Sequence, residues 1–184
     1  MKNAFFGPEF SDAEVETLLM SKGANYQKCS RHELLQETAK LIADQKVIGW
    51  FQGRMEFGPR SLGSRSILAD ARNPSNQSIV NLKIKFRESF RPFAPTVLEE
   101  RTSDYFEFDR PSPFMLFVAN VRSDKRTIPA VTHVDGSARL QTISRGQHAL
   151  FYDLITEFDR QTGSGKGNSG MNSPTLPGIV VVAL

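Results

Sequence analysis

The chain has one cysteine, Cys29, among its 184 residues. That excludes an internal disulfide and any cysteine-rich zinc site, and it fits a reducing compartment. No stretch approaches the about 18 consecutive apolar residues that a membrane-spanning helix needs. Met1 to Gly7 carries no apolar run of the kind that opens a signal peptide, so a soluble, cytoplasmic setting is expected. Internal repeats are missing. So are the phosphate loop ending in Gly-Lys-Ser/Thr, the Gly-x-Ser-x-Gly nucleophile elbow and the His-Glu-x-x-His zinc pair, which removes the commonest nucleotidase, hydrolase and metalloprotease signatures. Net charge is scarce as well: 23 Lys and Arg stand against 20 Asp and Glu.

The small surplus of positive charge is unevenly placed. Between Arg54 and Arg91 lie eight basic residues and three acidic ones. An anionic partner belongs there if it belongs anywhere. The composition, 39% hydrophobic and 23% charged, is that of an ordinary globular domain. The length supports one core without staples.

Ser11-Asp12-Ala13-Glu14 and Ser30-Arg31-His32-Glu33 read as capping boxes that open two helices, the second running to about Gln45. Val47 to Phe51 reads as a buried strand, followed by a glycine- and arginine-rich loop from Gly53 to Arg65. Asn73-Pro74 predicts the start of a helix carrying Ile79, Leu82 and Phe86 on its apolar side. Phe93–Glu99, Phe114–Val121 and Ser137–Ser144 read as strands, the last half-buried by its alternation. Thr102–Phe106 reads as a helical turn and His148–Gln161 as a helix stopped by Gly163. This order predicts an α/β (α+β) domain around one sheet. Residues 164–184 begin with a stretch rich in Gly, Ser and Asn and are expected to be an atypical tail beyond a domain of residues 1–163.

Three clusters carry the candidate chemistry. In Gly53-Arg54-Met55-Glu56-Phe57-Gly58-Pro59-Arg60-Ser61-Leu62-Gly63-Ser64-Arg65, glycines let successive N–H groups converge on an anion. Arg54, Arg60 and Arg65 add forked cations that suit phosphate oxygens, and Glu56 is placed to orient one of them. In the second cluster, Lys83 to Pro95, Lys83 and Arg87 read as an exposed helix face. The pattern leaves Lys85 and Arg91 open between a site and a surface. In the third, Thr132 to Thr142, His133 and Asp135 are too few for a metal centre. Asp135-Gly136 suits a turn, and His133 reads as a substrate-contacting or hydrogen-bonding residue. Arg139 points either into a pocket or to water.

Taken in this order, the three clusters resemble the C-terminal domain of the O-carbamoyltransferases of the nodulation and cephamycin type. Its pattern runs Gly-Arg-x-Glu-x-Gly-Pro-Arg-Ala-Leu-Gly-x-Arg-Ser-Ile, then Lys-x-Arg-Glu-x-x-Arg-Pro-Phe-Ala-Pro, then His-Val-Asp-Gly-x-x-Arg-x-Gln. Ser61 replaces the usual alanine here, and the likeness extends from about Phe5 to Gly163.

The resemblance implies a YrdC-like twisted mixed sheet flanked by helices. It also implies a basic cavity that takes carbamoyl phosphate and ATP, with Mg²⁺ accompanying the nucleotide. The product would be carbamoyl adenylate, whose carbamoyl group goes to a hydroxyl acceptor. By position, Lys85, Arg91 and Arg139 would be catalytic, with Arg54, Arg60, Arg65, His133 and Asp135 binding substrate. Relatives also carry a larger actin-like N-terminal domain that holds iron and completes transfer, and this domain would be the partner of the present chain. The tail does not match the family ending, where a strand and an Asn-Thr-Ser-Phe-Asn segment help line the nucleotide site. Two other readings stand beside this one. One is a basic YrdC-like surface for RNA, against which the core-like spacing of Phe57, Phe86 and Phe90 argues. The other is a degenerate fragment that binds ligand without turnover.

Overall fold

The computed structural model describes residues 3–163 and the backbone of residues 179–183. Both capping boxes form: the Ser11 and Ser30 hydroxyls accept the N–H of Glu14 and Glu33, whose carboxylates reach back to the cap residues. The helices they open are α1 (Asp12–Ser21) and α2 (Arg31–Ala43). They differ in what they bury. α1 buries none of its residues, whereas α2 buries Thr38, Ala39 and Ile42.

Strands β1 (Ile48–Phe51) and β2 (Arg65–Asp70) pair antiparallel across the glycine-rich loop. α3 (Ser75–Lys83) follows, its first turn held by Asn73 Oδ1, which accepts the Ser75 N–H at 2.9 Å. Next come β3 (Ala94–Leu98), the short α4 (Thr102–Tyr105), β4 (Val118–Asn120), β5 (Ser137–Arg139), β6 (Gln141–Ile143), α5 (Ala149–Gly163) and β7 (Ile179–Ala183). The main sheet runs β1-β2-β7-β3-β6, and only its β3–β6 pair is parallel; β4 and β5 form a separate antiparallel pair. This is the mixed α+β class expected from the order of elements.

The main sheet is covered on both faces. Ile67, Ala69 and Val97 enter a core closed by Val80, Tyr105, Val121, Ala138 and Leu140. Leu68, Ala94, Leu98 and Ile143 enter a second core closed by Ile42 of α2 and by Phe151, Leu154, Ile155 and Phe158 of α5.

Several local expectations change. β2 has no polar/apolar alternation because all six of its residues are buried, so its periodicity is silent. α3 turns Asn76, Val80 and Asn81 inward, while Leu82 and Phe86 are exposed; the chain leaves the helix after Lys83, and Phe86 adopts φ 49°. The predicted strand 114–121 shrinks to Val118–Asn120, with Met115 left-handed at φ 53°. Residues 137–144 are two strands of two different sheets, divided at Leu140, and they are buried rather than half-buried. Residues 179–183, set apart by sequence as part of a tail, pair with β2 on one side and β3 on the other. The Gly, Ser and Asn stretch at 164–177 lies outside the described residues.

Candidate functional site

The loop between β1 and β2 is built around a carboxylate. Gly53, Gly58 and Gly63 have φ of 49°, 127° and 110°, values that only glycine adopts readily. Their turns aim backbone N–H groups at one point, as expected of an anion-binding loop. The anion is internal. Glu56 is 6% exposed, and its Oε1 accepts the N–H groups of Leu62 and Ser64 at 2.7 Å each and of Arg65 at 3.3 Å. Glu56 therefore bonds to backbone N–H groups and makes no direct hydrogen bond to an arginine side chain among the described residues.

The three arginines of this loop diverge. Arg65 donates to the carbonyl oxygens of Gln52, Gly53, Ser64 and Pro8, and its guanidinium lies 3.5 Å from the centre of the Phe51 ring. These bonds clamp the chain. Arg54 is exposed, 3.5 Å from Glu9, and donates to the Gly7 carbonyl. Arg60 alone keeps a buried Nε without a hydrogen-bond partner.

Arg139, at the end of β5, likewise has a buried Nε with no partner. Burial holds its guanidinium below the ordinary arginine value, and the charges of Arg60 and Arg87 lower it further. Arg87 was read as surface. The structure instead fixes it from two sides: its Nε donates to Asn81 Oδ1 at 2.6 Å, and its guanidinium lies 4.9 Å from the centre of the Phe93 ring. Burial lowers its pKa and the charge of Arg91 adds to this, with Glu88 opposing. Lys85 is half-buried, its pKa lowered by burial and then by the Arg87 charge. Arg91 is exposed and pairs with Glu88 at 2.9 Å.

Asn81, fully buried at the end of α3, organises this region. Its Nδ2 donates to the carbonyls of Ser89 and Arg91 at 3.1 and 2.8 Å, while its oxygen takes Arg87. The basic group thus draws Arg60 from the loop, Arg87 from beyond α3 and Arg139 from β5, with Lys85 and Arg91 at its edge through Arg87.

The third cluster resolves into a turn. Asp135 Oδ1 accepts the N–H and hydroxyl of Ser137 at 2.9 and 2.7 Å, which lowers its pKa, and His133 Nδ1 lies 2.9 Å from the same hydroxyl. These groups shape the turn into β5. The turn expected at Asp135-Gly136 and the hydrogen-bonding role expected for His133 are both present, and among the described residues none of their hydrogen bonds reaches the basic group.

A cavity of about 420 Å³ is lined by Phe5, Arg54, Phe114, Gln141 and His148, among others. His148, which sequence reasoning passed over, sits 2.9 Å from Ser64 Oγ and has its pKa lowered to about 4, chiefly by burial and against the opposing charge of Glu56. Ser64 is 1% exposed, so the pair is structural rather than a presented nucleophile and base.

Residues 39–175 match the family model described as carbamoyltransferase C-terminus. The chain belongs to this family. It is 45% identical over 188 residues to an uncharacterized protein of Synechocystis, covering 90% of this chain and 31% of that protein. It is 45% identical to the nodulation protein NolNO of Sinorhizobium fredii, covering 89% and 25%, and 42% identical to the nodulation protein NolO of Bradyrhizobium diazoefficiens, covering 88% and 30%. The chain therefore spans a quarter to a third of the length of these relatives. Within the carbamoyltransferase pattern, the arginine of Lys-x-Arg-Glu is Arg87. That motif was the available signal for a residue which helical spacing assigned to the surface. Asn81 had no such signal, because a buried asparagine is defined by what surrounds it. No helix among the described residues is long and apolar enough to cross a membrane.

Proposed function

We propose that this carbamoyltransferase domain takes carbamoyl phosphate and ATP at the group formed by Arg60, Arg87 and Arg139 and activates the carbamoyl unit there. In this reading, carbamoyl phosphate is hydrolysed to carbamate and phosphate. A carbamate oxygen then bonds to the α-phosphorus of ATP while the bond to the β-phosphate oxygen breaks, which yields carbamoyl adenylate and pyrophosphate. Transfer to a hydroxyl acceptor falls to the region that the longer relatives carry beyond the span matched here. Mg²⁺ enters with ATP, held through phosphate oxygens and water.

One observation supports the proposal: the charges of Arg60 and Arg87, from separate segments, both act on the partly buried Arg139, and the buried Nε atoms of Arg60 and Arg139 have no hydrogen-bond partner among the described residues. Such cations offset the repulsion between an anionic nucleophile and a polyphosphate, and they stabilise charge on the transferring group. A pre-formed carbamate needs no general base, and the reading asks for none.

Incubation with carbamoyl phosphate and Mg-ATP is expected to release pyrophosphate. A longer relative serves as positive control. No pyrophosphate from this chain, with release by the control, overturns the proposal.

A further inference from the structure

We propose that Glu56 is a positioning residue: its carboxylate is the built-in anion of the glycine-rich loop and holds Arg60 toward Arg139 without itself touching the ligand. Converging backbone N–H groups normally take an external anion. Here the Leu62, Ser64 and Arg65 amides, at 2.7, 2.7 and 3.3 Å, all close on one oxygen of a buried side chain.

Arg60 lies between Glu56 and Leu62, so the Glu56–Leu62 contact closes a short ring of chain with Arg60 inside it. The other fastenings of that ring include the Phe57 N–H to the Ala4 carbonyl at 2.6 Å, the Ser61 hydroxyl to the Arg65 carbonyl and the Ser66 hydroxyl, and the Gln141 amide to the Leu62 carbonyl at 2.9 Å. Gly58, at φ 127°, supplies no stiffness of its own. Only Glu56 gathers three amides. A charged acceptor makes bonds roughly twice as strong as a neutral one, and its negative charge also faces the Arg65 guanidinium. Without it, three N–H dipoles would lose their acceptor and Arg65 would keep only the charge of Glu9.

Acetate replaces the group deleted by Glu56→Ala, which makes the test a chemical rescue. Glu56→Ala is expected to bind inorganic phosphate about tenfold more weakly than the unaltered protein, as read by calorimetry. Tens of millimolar acetate should restore most of the loss. It should also raise the melting temperature of the variant but not of the unaltered protein. Acetamide, the neutral isostere, should do neither.

The phosphate readout rests on the function proposed above; the acetate effect on melting does not, so the two ideas fail separately. Phosphate binding that is absent from the unaltered protein, while acetate still stabilises the variant, removes the role in ligand binding and leaves only the loop anion. Equal rescue by acetate and acetamide, or a folded variant that binds phosphate normally, overturns the inference. Glu56→Gln covers the case in which the alanine variant does not fold. It keeps one acceptor oxygen and fills the space, so weaker phosphate binding with no response to acetate is expected. Binding equal to that of the unaltered protein would overturn the positioning role.

Discussion

Arg54, Arg60 and Arg65 share one loop and one residue type, yet their surroundings give them different work. Arg65 is surrounded by carbonyl oxygens, Arg54 meets Glu9 at the surface, and Arg60 is left with a buried nitrogen that no protein group satisfies. A buried guanidinium N–H without an acceptor is costly, which makes Arg60 and Arg139 the residues best suited to take an anion. Arg87→Ala and Arg139→Ala should each weaken inorganic phosphate binding about ten- to hundredfold, the loss of a hydrogen bond to a charged group. Lys83→Ala, at an exposed position, should change it less than twofold, and calorimetry separates the three. His148 offers a second residue-level test. Its folded pKa of about 4 lies below the ordinary 6.5 because burial disfavours the cation. Between these values the unfolded chain holds the extra proton, so stability rises with pH across that window and falls on acidification. The full span is worth roughly 3 kcal/mol. Urea unfolding of the unaltered protein against His148→Gln should show a difference that grows from pH 4 to 6.5 and is flat above it.

At the scale of elements, the loop and α5 are fitted to each other. A Cβ on Gly63 would stand 2.3 Å from Phe151 Cδ1, and φ is 110° there; a Cβ on Gly49 in β1 would meet nothing within 4 Å. Gly63→Ala should therefore cost about 3 kcal/mol, combining overpacking with backbone strain, whereas Gly49→Ala should stay within about 0.5 kcal/mol. Denaturant midpoints check both. Elements governed by local chemistry were legible: both capping boxes, α5 and the position of β1 follow from side chains acting on their own neighbours, although β1, expected to be buried, buries only Trp50. Elements governed by burial on both faces were not. β2 lacks alternation because neither of its faces meets water, and the stretch 137–144 shows one alternation although Leu140 divides it between two sheets.

At the scale of the whole molecule, the basic group is a set of like charges drawn from the glycine-rich loop, the chain beyond α3, and β5. The charges of Arg60 and Arg87 lower the pKa of Arg139, and that of Arg91 lowers Arg87, so the unliganded fold carries repulsion that a polyanion relieves. Pyrophosphate at about a hundred times its dissociation constant should add about 2.7 kcal/mol of stability, a rise of about 5 to 10 °C in melting temperature. Sodium chloride at matched ionic strength should not do this, and combining Arg60→Ala with Arg139→Ala should abolish the effect. A melting temperature unmoved by pyrophosphate would remove the physical basis of the site.

The amino-acid sequence alone determined where this chain concentrates positive charge, which motifs it shares with the carbamoyltransferases, and where helices begin, because these depend on residues near one another. Only the tertiary structure decided that the charges of Arg60 and Arg87 act on Arg139, that Arg65 and Asp135 hold backbone, that Glu56 occupies the loop, and that the strand 179–183 lies between β2 and β3. Each of these depends on which groups arrive from distant segments to satisfy a charge or a hydrogen bond, and spacing along the chain does not encode that.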